Sequence, residues 1–165
     1  MSNTNLSMNQ QVSNATKSDA EGLIKIYSSP DLYHNRKEAS WFVKSYLDYH
    51  HVKVVRHGHR IIGALFWNSV EEKHHGITNV QDLWIEESFR RKGMGEKLLQ
   101  SVVEDMKKLY SSHRYRLRKV FVTTGENNKL ARNLYEKVGF RLTAKLPDFF
   151  AKGENELVYI LTLNS

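Results

Sequence analysis

The sequence contains no cysteine, and this absence excludes several kinds of chemistry. Without thiols the chain forms no disulfide, offers no thiolate nucleophile and cannot build a cysteine-ligated zinc site. A chain without disulfides also fits a cytoplasmic protein. No apolar run approaches the roughly 20 residues that a membrane-spanning helix needs, and the polar N-terminus does not resemble a signal peptide. We therefore expect a cytoplasmic location and no membrane partner.

Acidic residues are outnumbered: the formal net charge is +7 and the sequence pI is about 9.5. Such a balance indicates an anionic partner, and charge alone leaves both nucleic acid and a polyphosphate cofactor open. The composition is 40% hydrophobic and 26% charged, which is typical of a globular chain. Residues 1–11 are rich in Asn, Ser and Gln and are predicted to form a flexible tail. Residues 12–165 are predicted to form a single domain.

Apolar periodicity predicts a mixture of strands and helices in the α/β (α+β) class. Strand pairs alternate with strand–helix–strand units, which indicates a mixed sheet covered by helices. The predicted strands span residues 12–15, 51–56, 60–68, 77–86, 117–124, 140–146 and 156–163. The predicted helices span residues 20–27, 35–49, 94–110 and 127–138.

The most informative segment runs from Leu83 to Gly95, where an apolar strand enters a basic, glycine-bearing turn and a helix begins directly behind it. Such a junction presents unpaired backbone N–H groups and the positive end of a helix dipole, so it favours a phosphate. Gly93 and Gly95 remove side chains that would keep an anion from the backbone. The alternative is a solvated basic turn.

A second motif lies in the helix after Thr124, with Asn128, Ala131, Leu134-Tyr135 and Gly139-Phe140. Its spacing matches Asn-x-x-Ala-x-x-Leu-Tyr-x-x-x-Gly-Phe. Together with Arg90-x-x-Gly-x-Gly95, it resembles the GNAT superfamily of acetyl-CoA-dependent N-acetyltransferases. The resemblance is nearest to the branch that acetylates ribosomal proteins and protein N-termini.

The resemblance implies a mostly antiparallel central sheet of six to seven strands with about four flanking helices. It also implies a splayed strand pair that holds coenzyme A. The pyrophosphate would lie on the backbone amides of residues 91–96, the pantetheine arm would pair with residues 83–85, and Asn128 would hydrogen-bond that arm. A helix cap is the alternative for Asn128. The cofactor-binding residues implied in this way are Leu83, Trp84, Ile85, Arg90, Arg91, Lys92, Gly93, Met94, Gly95, Glu96 and Asn128.

Tyr135 is the catalytic residue that the resemblance implies. An amine that attacks the thioester expels coenzyme A thiolate, which needs a proton. A phenol of pKa near 10 can give that proton to a thiolate whose acid has a pKa near 8.5. The alternative is core packing, because Ala131 and Val138 share its side of the helix.

No general base occupies the positions where relatives carry a glutamate: Gln81 and Thr123 stand there instead. Asp82 and Glu86 are nearby, but strand alternation points both away from Gln81. Glu126, in the loop before the second motif, is a weaker candidate. A missing base favours an α-amine, whose pKa of roughly 7.7–8.0 leaves on the order of a tenth neutral at pH 7.

The segment 148–156 resembles the Tyr-Tyr…Gly-Glu-Asp segment of N-terminal protein acetyltransferases, with Phe149 and Phe150 in place of the tyrosines. The alternative is an aromatic pair that packs the last hairpin. The acceptor is therefore expected to be a protein or peptide α-amine, and a small amine such as a polyamine or aminoglycoside stays open. A non-catalytic module that binds coenzyme A or nucleic acid is the alternative from a different class.

The remaining patterns point to fewer partners. The eight histidines lack carboxylates at ligand spacing, so no metal is expected. The run Arg114-x-Arg116-x-Arg118-Lys119 could contact the adenosine 3′-phosphate or a nucleic acid. Basic runs of this kind more often form a solvated surface. Nucleic acid is not an expected partner, and a monomer or homodimer is expected.

Overall fold

The computed structural model describes residues 10–29, 32, 35–70 and 72–163, which form seven strands and four helices. The strands are β1 (Gln10–Asn14), β2 (His51–His57), β3 (Arg60–Ser69), β4 (Ile77–Ile85), β5 (Lys119–Gly125), β6 (Arg141–Leu146) and β7 (Glu156–Thr162). The helices are α1 (Ala20–Tyr27), α2 (Arg36–Tyr49), α3 (Met94–Ser112) and α4 (Lys129–Val138).

The seven strands form one sheet in the order β1-β2-β3-β4-β5-β7-β6. Every neighbouring pair is antiparallel except β4 and β5, which are parallel. A parallel pair needs a crossover, and α3 supplies it. The predicted fold class is confirmed: the protein has a mixed, mostly antiparallel sheet with four flanking helices.

Two apolar cores lie on the two faces of the sheet. The larger core joins α3 and α4 to the sheet through side chains such as Leu98, Val102 and Tyr135. The smaller core joins α1 and α2 to β2 and β3 through Leu23 and Phe42, among others. Both helix pairs are amphipathic, so each buries an apolar stripe and leaves its polar face to solvent.

The first strand begins earlier than predicted. Gln10 and Gln11 pair with His57 and Arg56 of β2, so the predicted flexible tail is wrong for these two residues. The polar side chains of Gln10 and Gln11 do not show the apolar alternation that predicts a strand. This edge strand is held to β2 by backbone hydrogen bonds. Residues 1–9 lie outside the described residues. The predicted domain, residues 12–165, contains strands β2 to β7 and all four helices.

Gly76 fixes the start of β4 against the start of β5. Its carbonyl accepts hydrogen bonds from the amides of Arg118 and Lys119 at 2.8 and 3.0 Å. Its φ is +66°, and an added Cβ atom would lie 2.3 Å from the carbonyl oxygen of Arg116. Both the backbone conformation and the close approach therefore require glycine.

Gly76→Ala is expected to destabilise the protein by more than Gly58→Ala. Both glycines have positive φ, +66° and +60°, but a Cβ atom on Gly58 would meet no atom within 4 Å. Gly58→Ala should therefore cost only the conformational term of about 1–2 kcal/mol, whereas Gly76→Ala adds a backbone clash. Urea unfolding of the two variants measures the difference, and equal losses would contradict the packing role of Gly76.

Candidate active site

The candidate active site lies where β4 and β5 separate. The two strands pair only from Ile77–Lys119 to Val80–Val122. Beyond that point β4 remains paired with β3, and β5 remains paired with β7. The divergence opens a cleft of about 600 Å³ between the last residues of β4 and the N-terminal parts of α3 and α4. The splayed strand pair implied by the family resemblance is therefore present.

Part of the β4 backbone is available inside this cleft. Trp84 pairs with Ala64, and the Glu86 amide donates to the Ile62 carbonyl at 2.9 Å. Because an antiparallel ladder alternates, the backbone groups of Leu83 and Ile85 point to the other side, into the cleft. The Ile85 carbonyl accepts a hydrogen bond from Arg90 Nε at 2.9 Å. The backbone groups of Trp84 are hydrogen-bonded to β3, so Trp84 contributes to the cleft through its side chain alone.

The turn between β4 and α3 has the backbone of an anion site. Arg91 has φ +57° and Gly93 has φ +80°, so two left-handed residues bend the chain just before the helix. Gly93 is the N-cap of α3, and its N–H and those that follow are not used by the helix. Such a concave row of amides at a helix N-terminus attracts phosphate oxygens.

The two glycines of this turn have different roles. A Cβ atom on Gly93 would meet nothing within 4 Å, so this glycine is required by its positive φ. A Cβ atom on Gly95 would lie 3.0 Å from Leu134 Cδ2. Gly95 therefore allows the first turn of α3 to pack closely against α4, in addition to keeping the turn open.

The basic side chains of the turn are not equivalent. Arg90 is held by the Ile85 carbonyl, and Lys92 Nζ donates to the Ser88 carbonyl at 2.8 Å while it lies 5.7 Å from the Phe89 ring. Arg91 lines the cleft and has no ion pair with another described residue. Lys137 of α4, which sequence reasoning missed, lines it too and forms an ion pair with Glu96 at 2.6 Å.

Most of the residues predicted to bind the cofactor line the cleft. Those brought together are Leu83, Trp84, Ile85, Arg90, Arg91, Gly93, Gly95, Glu96 and Asn128. Lys92 and Met94 are not among them: Lys92 points back to Ser88, and the Met94 side chain packs against the larger core. For these two residues the side chains do not reach the cleft, and only the Met94 amide belongs to the helix N-terminus.

Asn128 serves the helix as well as the cleft. It is the N-cap of α4, and its Oδ1 atom accepts a hydrogen bond from the Ala131 amide at 3.2 Å. The cap that sequence reasoning kept as an alternative is therefore present. Capping uses the oxygen only, so the side-chain amide group of Asn128 remains able to donate into the cleft.

Tyr135 lies beneath the cleft in the larger core. It is 4% exposed, and its ring packs 5.8 Å from Phe140 and 5.9 Å from Tyr159, measured between centroids. Burial raises the pKa of its phenol, and the charges of Asp82 and Glu156 raise it further. No hydrogen bond joins the hydroxyl to another described residue, so its proton is not committed within the described chain.

Neither of the positions first considered for a base carries one. Gln81 is exposed and accepts a hydrogen bond from Asn79, and Thr123 lies in the β5–β7 ladder opposite Val158. The Glu126 carboxylate accepts hydrogen bonds from Lys145 at 2.7 Å and from Asn155 at 2.8 Å. These contacts lower the pKa of Glu126, so it is a structural ion-pair partner rather than a base.

Asp82 is a carboxylate that the sequence analysis set aside, because regular strand alternation points it away from Gln81. A β-bulge at Gln81 lets Asp82 pair with Phe66 while Val80 pairs with Trp67. The extra residue shifts the alternation, so Asp82 shares the face of Phe66 and lines the cleft. Burial raises the pKa of its carboxyl to about 6, although hydrogen bonds from the Tyr27 side chain and the Leu83 backbone oppose that rise.

Asp82 is surrounded by tyrosines from three helices. Tyr27 of α1 hydrogen-bonds its carboxyl group, and the charge of Asp82 adds to burial in raising the pKa of Tyr46 of α2 to about 12. It acts in the same direction on Tyr135 of α4. The available signal was an acidic residue inside an apolar strand, between Val80 and Leu83, where a charge is costly unless it has a function.

The aromatic pair expected at the last hairpin lies on the surface. Phe149 and Phe150 stack edge to face with centroids 4.8 Å apart and are 54% and 71% exposed, so they do not pack under the last hairpin.

Among the described residues, no three His, Asp or Glu side chains converge as a metal site. In the same residues, no helix has both the length and the apolar character needed to cross a membrane.

A family model described as an acetyltransferase (GNAT) domain matches residues 48–142. An N-alpha-acetyltransferase from Sulfurisphaera tokodaii is 32% identical over 77 residues, which cover 47% of this chain and 43% of the relative. A spermine/spermidine N(1)-acetyltransferase from Bacillus subtilis is 30% identical over 95 residues, which cover 58% of this chain and 57% of the relative. The matched part thus spans about half the length of these curated relatives.

The fold is also shared with solved structures. NAA60 of Arabidopsis thaliana, solved in complex with a bisubstrate analogue, superposes with a TM-score of 0.75 at 21% identity over 94% of this chain and 98% of that chain. This likeness concerns the fold. The family model covers more than half of the sequence, and its segment contains the splayed strand, the turn between β4 and α3, and Tyr135. The chain belongs to the GNAT acetyltransferase family.

Proposed function

We propose that the protein transfers an acetyl group from acetyl-CoA to a primary amine by direct attack in a ternary complex. The observation that carries this proposal is the cleft between β4 and β5, where a helix N-terminus with free amides, an open strand edge and the Asp82 carboxyl meet above the buried phenol of Tyr135. Acetyl-CoA is the acyl donor of GNAT enzymes, and each part of the cleft fits one part of it.

The phosphates would be held by the amides around Gly93, by Arg91 and by Lys137. The Leu83 amide already donates to the Asp82 carboxyl, and the Ile85 carbonyl already accepts from Arg90. The Leu83 carbonyl and the Ile85 amide can pair with an extended amide-bearing arm as an added strand would. The Asn128 amide group can donate to the same arm. In this arrangement the thioester end lies toward Asp82 and Tyr135, deep between the strands, and the acceptor amine approaches from the side of α1 and α2.

Tyr135 would protonate the leaving thiolate, and its phenolate would take back the second proton that the acceptor nitrogen loses when it becomes an amide. Its raised pKa keeps the phenol protonated throughout the physiological range, so the proton is present when the thiolate forms. A raised pKa also makes the phenol a weaker acid. Its contribution would therefore come from position within a dry site, together with polarisation of the thioester carbonyl by backbone amides.

Asp82 would receive the proton that the ammonium group loses. With a pKa of about 6 it is ionised at neutral pH, attracts the cationic acceptor and lies much nearer to amine pKa values than an ordinary aspartate. Proton transfer from an α-amine is uphill by about 2 pKa units, or about 3 kcal/mol, whereas transfer from a lysine amine is uphill by about 6 kcal/mol. The base therefore suits a protein or peptide α-amine better than a lysine.

A polyamine acceptor is the second candidate, and one observation favours it. Glu156, at the start of β7, is 7% exposed, and its charge acts on Tyr135 together with that of Asp82. Two carboxylates near one phenol give a negative site in a chain of net charge +7. A substrate with two or more ammonium groups would use both. The relative from Bacillus subtilis is named for such substrates.

A matched acceptor set tests the function. Thiol release from acetyl-CoA would be measured with a peptide that has a free N-terminus, the same peptide N-acetylated but with an internal lysine, and spermidine. We expect turnover with the free N-terminus and at least tenfold lower turnover with the lysine peptide, because of the difference in amine pKa.

Tyr135→Phe serves as the mechanistic control in this assay. It should lower turnover of the best acceptor and leave acetyl-CoA binding, followed by calorimetry, close to the wild-type value. Turnover with spermidine alone would transfer the assignment to the second candidate. Acetyl-CoA binding without turnover on any acceptor would contradict the enzymatic proposal.

Arg91→Gln and Lys92→Gln form a matched pair for the cofactor site. Each removes one positive charge from the same turn, but only Arg91 lines the cleft. Loss of a charge-assisted contact should raise the acetyl-CoA dissociation constant about tenfold in Arg91→Gln. Lys92→Gln should bind like the wild type. Calorimetric titration at 150 mM salt measures both, and equal weakening would mean that only the net charge of the turn matters.

Asp82→Asn should lose activity and gain stability. The wild-type rate should fall as the pH drops through about 6, where Asp82 becomes protonated, and the variant should lack this acidic limb. Because folding raises this pKa from 3.8, the ionised form is disfavoured in the folded state, and its cost appears as the pH rises through 6. At pH 8, Asn should raise the free energy of unfolding by up to about 3 kcal/mol.

Two measurements on Asp82→Asn separate a catalytic from a structural role. A pH–rate profile reports the lost ionisation, and urea unfolding at pH 8 reports the stability. A variant that is inactive because it is unfolded would contradict the assignment. So would an active variant that keeps the acidic limb near pH 6.

A further inference from the structure

A stretch of purely positive charge lies far from the cleft. Residues 107–125 contain six lysines and arginines and no aspartate or glutamate. Four of the six cations fall in the short stretch Arg114–Lys119, here called the basic segment, which joins α3 to β5. The cofactor site uses Arg91 and Lys137 and leaves these charges without a role.

The basic segment lies at the opposite end of the molecule from the phosphate-binding turn. That turn precedes the first residue of α3, and the basic segment follows its last turn. A helix of 19 residues is about 28 Å long. The adenosine 3′-phosphate, which sequence reasoning considered for these arginines, belongs at the other end of α3, so the basic segment is not part of the cofactor site.

The basic segment is fixed in place by neighbouring elements. The Arg118 amide donates to the Gly76 carbonyl at 2.8 Å, and Arg118 Nε donates to the His75 carbonyl at 2.9 Å. The Tyr115 amide donates to the Tyr110 carbonyl at 2.9 Å, and Leu117 is 5% exposed in the larger core. A segment anchored by its backbone and one apolar side chain presents its other side chains at little cost in entropy.

Those other side chains are available for contacts. Arg114, Arg116 and Lys119 are exposed, and none forms an ion pair with another residue in the described part of the chain. By contrast, Lys107 is paired with Glu104 at 2.7 Å. Tyr115 lies between two of these arginines in the sequence and is 46% exposed, so its ring is accessible beside their charges.

We propose that the basic segment is a binding surface for single-stranded nucleic acid. Arginines present planar donor forks that fit phosphate oxygens, and an exposed aromatic ring among them gives one base a surface on which to stack. An acidic protein or an anionic membrane offers anionic groups but no planar base that stacks on the ring. This surface is separate from the acetyl-transfer site, so the two activities can be tested independently in the full chain.

Fluorescence anisotropy with a labelled 12-nucleotide oligouridine tests the proposal. Three phosphate contacts predict a slope of log affinity against log salt of about −2, hence a loss of roughly 20-fold in affinity between 50 and 200 mM salt. The variant Arg114→Gln/Arg116→Gln/Lys119→Gln should lose at least tenfold in affinity at 50 mM salt and most of the slope. Tyr115→Leu should lose about fivefold, with the slope unchanged.

The matched control removes three exposed lysines from α1 and α2, as Lys25→Gln/Lys37→Gln/Lys44→Gln. It has the same net charge as the triple variant and should bind oligouridine like the wild type. Retained thiol release from acetyl-CoA shows that each variant is folded.

Four results would overturn the proposal: equal weakening in the control variant, competition by saturating coenzyme A, an unchanged affinity in Tyr115→Leu, or tighter binding to polyglutamate or anionic vesicles than to oligouridine. The first would mean that only net charge matters, and the second would place the RNA in the cleft. The last two would mean that the surface recognises charge alone.

Discussion

The site depends on one constraint: β4 and β5 are paired along only part of their length. Four residue pairs join the two strands at the start of β4 and β5. Beyond Val80 and Val122 the strands separate and create the cleft. The bulge at Gln81 occurs where the pairing ends. It turns Asp82 toward α1 and α2, while Leu83 and Ile85 keep their side chains on the larger core. The open strand edge and the carboxylate that lines the cleft thus arise from the same irregularity.

Asp82 is a costly residue in a position that favours an apolar side chain. Burial raises the pKa of the Asp82 carboxyl, and burial together with the charge of Asp82 raises the pKa of Tyr46 and of Tyr135. A core built only for stability would place an apolar residue there. The fold tolerates this carboxylate because two apolar cores on either side of the sheet supply the packing.

Apolar periodicity predicted the seven strands and the four helices, because periodicity is local in the sequence. The two motifs, through the family resemblance, predicted the sheet and the residues on β4, α3 and α4 that line the cleft. The bulge at Gln81 was not predictable, since an inserted strand residue has no mark in a pattern of period two. The orientation of Lys92 and the contribution of Lys137 were also missed, because both depend on how α3 packs against α4. Asn128 shows that a cap and a cleft donor can be one residue.

The hydrogen bond from Arg90 to the Ile85 carbonyl has a consequence for the protein without its cofactor. A strand edge in the middle of a sheet is normally satisfied by a neighbour, and an open one is a template for unwanted pairing between molecules. Arg90 covers the Ile85 carbonyl and the Asp82 carboxyl accepts from the Leu83 amide, so the Leu83 carbonyl and the Ile85 amide remain for a ligand. Acetyl-CoA would therefore act as the missing strand, and a concentration of one hundred times its dissociation constant would add about 2.7 kcal/mol to the folded state. The cell's supply of the acyl donor would then influence how much of the protein resists aggregation, as well as how fast it works.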